Sequence, residues 1–140
     1  MGQWVSPFRT QQLNIDVGDV LNHIVRINEI HRIYPNNAPV INGLKLVETW
    51  SRTIADYIDG NGSGTSYSVY LMENGDKFFD RTSLLVQNTS GKLTAANVGY
   101  ITGGTGKFVG MQGIVRAFGN FDYKTGFNEN QMEIEYSIGK

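Results

Sequence analysis

The sequence predicts an all-β chain that forms a small, mainly antiparallel, up-and-down barrel of about eight strands, with a β-sandwich as the alternative. Three observations support this fold class. Segments in which apolar and polar residues alternate recur at short, regular intervals between turn residues. All three prolines lie at or before Pro39, so no later strand loses a backbone donor to proline. A glycine-rich stretch, Gly99–Gly113, is interpreted as a corner of the barrel, where tight bends or close backbone approach favour glycine.

Composition limits the domain count and the classes of partner. The 140 residues, 1–140, suit a single domain with one core. A formal charge of -1 leaves no basic field for nucleic acid, and without cysteine there is no disulfide or thiolate ligand. No apolar run is long enough for a membrane helix, and no signal segment opens the chain, so a cytoplasmic location is the default expectation. A mature secreted form fits the same pattern.

The N-terminal third contains the least regular pattern. Residues 1 to about 10 are predicted to form an irregular arm, and the alternation around Leu13–Val17 predicts a first strand. Val20–Ile33 fits both a helix and a strand, and its β-branched residues favour the strand. Tyr34–Pro39 carries two prolines and two asparagines, which predicts a loop.

The remaining strands are predicted from alternation between turn signals. Glycine and asparagine clusters at Asp59–Gly64, Glu73–Asp76, Asn88–Gly91 and Asp122–Gly126 indicate turns, and the Asn-Gly pair in the second is a strong hairpin signal. The glycine stretch supplies the corner before the last two strands. The predicted strands are Leu46–Ile58, Tyr67–Met72, Phe78–Gln87, Lys92–Ile101, Ile114–Phe121 and Gln131–Ile138.

Three short motifs resemble one superfamily. The segment ITGGTGKFVGMQG is similar to the glycine corner of the allene oxide cyclase and dirigent superfamily, and FDYKTG, residues 121–126, resembles the dirigent turn. Ile27-Asn28-Glu29, with Arg32 and Pro35, is similar to the first barrel strand of plant allene oxide cyclases, which reads roughly E-I-N-E-x-x-R-x-S-P. The resemblance implies a barrel that acts on an apolar molecule as a cyclase or isomerase, without metal or cofactor.

The same resemblance implies a ligand-binding set and shows where this chain departs from the family. The family's asparagine and proline are retained as Asn28 and Pro35, whereas its glutamate is replaced by Arg26 and its serine by Tyr34. Arg26 and Asn28 share a strand face, so both would point into the lumen, and a guanidinium there favours an acidic or carbonyl-bearing ligand. Alternatively, Arg26 pairs with a glutamate and Asn28 satisfies buried backbone. Catalytic residues are not assigned.

Other chemical candidates are weak. His23 and His31 share a strand face but lie too far apart to ligate one metal from that strand, so no metal site is predicted. The pairs Asp56 with Asp59 and Glu133 with Glu135 are interpreted as solvated side chains. Tyrosines that either line a lumen or pack between strands are Tyr57, Tyr67, Tyr70, Tyr100 and Tyr136.

Three functions remain open from the sequence. The first is a cofactor-free cyclase or isomerase, the second a carrier or sensor of an apolar, possibly acidic, small molecule, and the third a barrel filled by its own side chains that acts through its surface. The resemblance and the apolar residues on both faces of several strands, such as Ile54 and Val47, predict a homo-oligomer, a trimer before a dimer.

Overall fold

A computed structural model describes residues 8–122, 125 and 128–139. Within these residues the chain forms nine strands and a short 3-10 helix, Gly106–Phe108, which lies in the glycine-rich stretch. The strands are β1 Phe8–Asp16, β2 His23–Ile33, β3 Val40–Ile41, β4 Leu44–Ile58, β5 Asn61–Met72, β6 Lys77–Thr89, β7 Lys92–Gly104, β8 Met111–Asp122 and β9 Asn128–Ile138.

The strands follow one antiparallel, up-and-down path. Their order is β1-β2-β4-β5-β6-β7-β8-β9, with β3 paired to β4 off this path. The prediction of an all-β, mainly antiparallel chain is therefore confirmed, and the alternative of two packed sheets does not fit a single path. Closure into a barrel is not found, because within the described residues no ladder joins β1 to β9.

Side chains, instead of backbone hydrogen bonds, connect β9 to the elements across the sheet. Tyr70 Oη on β5 lies 3.7 Å from Met132 Sδ on β9. The backbone N–H of Asn42, between β3 and β4, donates to Tyr136 Oη on β9 at 2.8 Å. The sheet is therefore curved strongly enough for its concave face to contact itself while its strand path stays open.

Two-residue turns set the register of the long hairpins. Asp59 and Gly60 join β4 to β5 with φ of 53° and 79°, and Ser90 and Gly91 join β6 to β7 with φ of 53° and 87°. Positive φ at both central residues is the type I′ geometry that matches the twist of paired strands. The turn predicted over residues 59–64 is thus too long, because β5 already begins at Asn61.

The N-terminal predictions are corrected in part. β1 begins at Phe8, so residues 8–10 of the predicted arm are strand, and residues 1–7 lie outside the described part. β2 confirms the strand interpretation of Val20–Ile33 from His23 onward, since turn and bend residues precede it. β3 was not predicted, and the turn predicted over 122–126 lies mostly outside the described residues.

The predicted glycine corner combines close strand contact with a tight bend. A Cβ added to Gly99 would lie 1.9 Å from Arg81 O on β6, and one added to Gly113 would lie 2.1 Å from Glu135 O on β9. The bend itself is confined to the residues around the 3-10 helix, where Gly106 and Gly110 have φ of 55° and 81°. Glycine is therefore required here by backbone approach as well as by φ.

The apolar core lies at one end of the concave face. Phe78 and Phe108, both fully buried, pack with ring centroids 5.4 Å apart, and Tyr70 stacks on Phe78 at 4.3 Å. This cluster closes the end of the sheet that carries β3 and the glycine corner. Its buried members are Tyr34, Ile41, Leu46, Tyr70, Met72, Phe78, Ile101, Phe108, Met111, Val115 and Met132.

Candidate functional site

A cavity of about 1060 Å³ occupies the concave face of the sheet. The apolar core closes one end, and Tyr70, Val115 and Met132 belong to both the core and the cavity lining. Residues from the opposite hairpin ends, including Asp16, Asn22 and Asp59, surround the other end. The cavity is thus a cup whose floor rests on the core and whose mouth lies among the hairpin turns, with room for a small molecule.

Paired hydroxyl groups form one wall of the cavity. The Ser51 and Ser68 hydroxyls lie 3.0 Å apart, as do those of Thr53 and Ser66. They occupy neighbouring positions of β4 and β5 because strand alternation turns residues i and i+2 to the same face. Each pair uses one of its two O–H hydrogens internally, and Ser68 directs its own to Asp80, so the donor left for a bound molecule is in the Thr53–Ser66 pair.

Apolar side chains form the opposite wall. Strands β6 to β9 supply aliphatic and aromatic groups to the same cavity, and these groups have little capacity for hydrogen bonds. The same strands also contribute Thr82, Asn97 and Asn120, so a bound molecule would meet a mostly polar surface on one side and a largely apolar, partly polar surface on the other. The apolar lining residues of this wall are Leu84, Val86, Leu93, Ala95, Val115, Ala117, Phe118, Phe121 and Met132.

A buried carboxyl group lies at the floor. Asp80 is 3% exposed, and its Oδ2 accepts a hydrogen bond from Tyr70 Oη at 2.5 Å. Burial raises the pKa of Asp80 to about 6, although hydrogen bonds from Tyr70 and Ser68 act to lower it. Burial also raises the pKa of Tyr70 well above its usual range, and the neighbouring Asp80 carboxyl adds to that rise. Asp80 can therefore change its protonation near neutral pH while Tyr70 stays a donor.

Buried acceptor oxygens at the floor and on the polar wall are left without normal hydrogen bonds. Asp80 Oδ1 and Asn28 Oδ1 have no direct hydrogen bond within ordinary distance and angle limits in the described part of the chain, although Ser68 lies close enough to Asp80 to lower its pKa. Both residues line the cavity. An acceptor in that state carries an unrecovered desolvation cost, and neither oxygen presents more than 1 Å² of accessible surface to the cavity.

The structure brings together three of the four predicted ligand-binding residues. Arg26, Asn28 and Tyr34 line the cavity, whereas Pro35 is exposed and is not part of the lining. The Arg26 guanidinium donates from Nε to Asn14 Oδ1 at 2.8 Å and lies over the Tyr57 ring at 5.4 Å. The glutamates considered as its partner, Glu29, Glu48 and Glu135, form no ion pair with it among the described residues.

Tyr34 lies at the floor of the cavity. Its hydroxyl is 3.3 Å from Thr49 Oγ1, and burial raises its pKa although the Thr49 hydrogen bond and the Arg32 charge oppose the rise. Arg32 lines the same part of the cavity. The interior therefore carries two cationic side chains, Arg26 toward the mouth and Arg32 near the floor, and its deep carboxyl is Asp80.

Sequence reasoning missed Asp80 and the hydroxyl wall. The signal for the wall was present, because Thr49, Ser51 and Thr53 alternate on β4 and Ser66 and Ser68 alternate on β5. A polar residue at every second position of a strand also fits a solvated outer face, so the pattern alone favoured neither reading. Asp80 carried no such signal, since its burial depends on the core that closes the floor.

The two histidines considered as weaker candidates lie on the outer face of the sheet, where each contacts acidic side chains. His23 bridges two carboxylates, with Nδ1 2.6 Å from Asp19 Oδ1 and Nε2 2.6 Å from Asp56 Oδ1. His31 stacks on Trp50 with ring centroids 4.0 Å apart and lies 2.7 Å from Glu48 Oε2. In the described residues no group of three or more potential ligands is placed to hold a metal ion.

The chain was compared with family models, curated proteins and solved structures, and none of them matches it. The resemblance to the allene oxide cyclase and dirigent superfamily therefore stays a prediction from short motifs. Among the described residues, no helix is long and apolar enough to cross a membrane.

Proposed function

We propose that this protein binds an amphipathic small molecule inside the curved sheet, which works as a barrel-like cup. The cavity of about 1060 Å³ is the observation that carries the proposal, because a filled barrel would leave no such space. Its two unlike walls favour a ligand with an apolar body and a polar end. The charge of Arg26 and Arg32 in the lining suits an acidic or carbonyl group, in agreement with the expectation from the sequence.

Blocking the cavity from inside tests the proposal with a matched control. Ala95 and Ala96 are consecutive on β7: Ala95 lines the cavity, whereas Ala96 is not part of the lining and pairs with the exposed Leu85. Ala95→Trp places an indole in the lumen, whereas Ala96→Trp places it outside. Small molecules extracted from each purified protein are identified by mass spectrometry, and binding of 1-anilinonaphthalene-8-sulfonate is titrated.

We expect a bound molecule and saturable probe binding in the unaltered protein and in Ala96→Trp, and the loss of both in Ala95→Trp. Equal binding by all three proteins would place the ligand outside the cavity. No binding by the unaltered protein would favour the third reading, in which the chain acts through its surface.

Turnover of the bound molecule is a second proposal. Asp80 favours it, because a buried carboxyl with a pKa of about 6 can donate or accept a proton near neutral pH. An isomerisation or cyclisation needs no co-reactant, which is consistent with the chemistry that the resemblance implies. Incubating the extracted molecule with the unaltered protein and with Asp80→Asn separates the two roles. A carrier returns the molecule unchanged in both cases, whereas an enzyme converts it and the variant does not.

A further inference from the structure

An exposed apolar loop lies at the mouth of the cavity. Residues 17–22 join β1 to β2, and Val20 and Leu21, here called the apolar tip, are 55% and 85% exposed. Leu21 is the most exposed large apolar side chain among the described residues. The next residue, Asn22, belongs to the cavity lining at the mouth. The loop therefore presents apolar side chains to the surroundings directly beside the opening.

Hydrogen bonds hold this loop in place. His23 contacts Asp19 of the loop through Nδ1 and Asp56 of β4 through Nε2, each at 2.6 Å. Asn22 Nδ2 donates to Asp59 Oδ1 in the β4–β5 turn at 2.8 Å. Because both ends of the contact lie on the β4–β5 hairpin, the loop is fixed to the rim of the cup. Exposure of the apolar tip is thus a property of the bonded loop.

The size and charge of the apolar tip limit what can cover it. A stable protein partner buries roughly 800 Å² on each side, which two side chains cannot supply. An anionic surface is disfavoured, because residues 16–23 contain two aspartates and neither lysine nor arginine. A neutral lipid surface requires neither a large contact area nor a cation, since apolar side chains can enter its interface to a shallow depth.

We propose that the apolar tip docks the cup on a neutral lipid surface, so that the cavity mouth faces the phase in which an amphipathic ligand dissolves. A ligand that passes directly between lipid and cavity keeps its apolar body out of water, which removes the hydrophobic cost of a free aqueous intermediate. This inference rests on the proposed function for its purpose, although the docking itself requires no ligand.

A label at one site tests the docking, because the chain has no cysteine of its own. Leu21→Cys carries a nitrobenzoxadiazole dye, and Leu85→Cys, at an exposed leucine of β6, is the matched control. Phosphatidylcholine vesicles should shift the dye emission to shorter wavelength in the first protein and leave it unchanged in the second. In flotation with these vesicles, Leu21→Asp should bind about tenfold more weakly than the unaltered protein, since burial of one leucine corresponds to at least that factor. Leu85→Asp should bind as the unaltered protein does.

Equal emission shifts at the two labels, equal binding by Leu21→Asp and the unaltered protein, or tighter binding to vesicles that contain phosphatidylglycerol would overturn the inference. It would also be overturned if Leu21→Asp dissociated an oligomer that does not bind vesicles, because a second copy would then cover the tip. If vesicles are not bound but Ala95→Trp still abolishes binding of 1-anilinonaphthalene-8-sulfonate, the docking fails and the proposed function stands. If vesicles are bound through Leu21 but Ala95→Trp retains the probe, the proposed function fails and the docking stands.

Discussion

At the scale of single residues, the interior is notable for a polar group that costs stability. Asp80 is buried beside Tyr70 at the floor of a cavity, and one of its oxygens lacks a normal hydrogen bond among the described residues. Buried carboxyls with a raised pKa cluster at functional sites in proteins generally. The same observation that marks the site therefore predicts a penalty on folding.

Asp80→Asn is expected to stabilise the fold at neutral pH. The pKa of Asp80 is about 6 in the folded state and ordinarily 3.8. Between these two pH values the folded protein keeps a proton that the unfolded chain releases, and above them the folded protein must hold a buried charge. Stability contributed by this group is complete below about pH 4 and falls as the pH rises to 6, by about 3 kcal/mol in all. Urea unfolding at pH 4, 5, 6 and 7 should show this decline in the unaltered protein and its absence in the variant.

Asp16→Asn, a change at an exposed carboxylate on β1, is the matched control and should follow the unaltered protein. If Asp80→Asn is less stable at pH 7, or if its pH dependence is unchanged, the carboxyl is not the buried acid that the geometry indicates.

A second residue-scale prediction concerns His23, which holds the loop before β2 to β4. The hydrogen bond to Asp19, followed by that to Asp56, raises the pKa of His23 above its ordinary 6.5. The resulting stabilisation is fully present below pH 6.5 and is lost as the pH rises through the raised value. His23→Gln should therefore lower the melting temperature at pH 6 and have little effect at pH 9. The same difference in melting temperature between the unaltered protein and the variant at pH 6 and at pH 9 would refute the ion-pair role.

At the scale of elements, the strands were predictable where alternation is long and the turns are short. β4, β6, β7, β8 and β9 lie close to their predicted positions. β3 has two residues and is too short to show any period. β5 begins in Asn61–Gly64, whose polar and glycine residues are typical of turns, but pairing with β4 and β6 overrides that local preference.

Gly99→Ala should destabilise the chain through the β6–β7 ladder. The added Cβ would lie 1.9 Å from Arg81 O, a backbone atom that moves only if the two strands separate. We expect a loss of roughly 1–3 kcal/mol in the free energy of unfolding. Val98→Ala, on the exposed face of the same strand, should cost less than about 1 kcal/mol in the same urea titration. Similar losses in both variants would mean that the close approach at Gly99 is not tight.

At the scale of the whole molecule, apolar side chains lie on both faces of the sheet. The concave face carries the apolar core and one largely apolar wall as well as hydroxyl groups and Asp80, and the convex face carries exposed apolar side chains. The alternation of side chains along a strand is compatible with either face being the inward one, and only the position of the core decides between them. The inward placement of Arg26 and Asn28 therefore had to come from the resemblance, because alternation alone does not fix it. The polar side chains of the wall could not be assigned to the inner face from composition. An outer apolar patch on β1, β2 and β4 comprises Leu13, Ile15, Val25, Ile27, Ile54 and Ile58.

The outer apolar patch leads to the last prediction, that copies of this chain associate through it. Leu13, Ile27 and Ile54 lie side by side across three strands, and each is about half exposed. Contiguous apolar surface of this kind is generally covered by another protein surface, and a second copy supplies a matching one. The number of copies, three before two, follows from the resemblance alone and stays a proposal.

Ile27→Lys combined with Ile54→Glu places opposite charges on directly facing residues, so the sheet keeps a favourable pair while the patch becomes polar. Sedimentation should show an oligomer for the unaltered protein and a monomer with unchanged circular dichroism for the double variant. Val109→Lys, an exposed change in the glycine corner, should leave the oligomer intact. A monomeric unaltered protein at micromolar concentration would contradict the prediction.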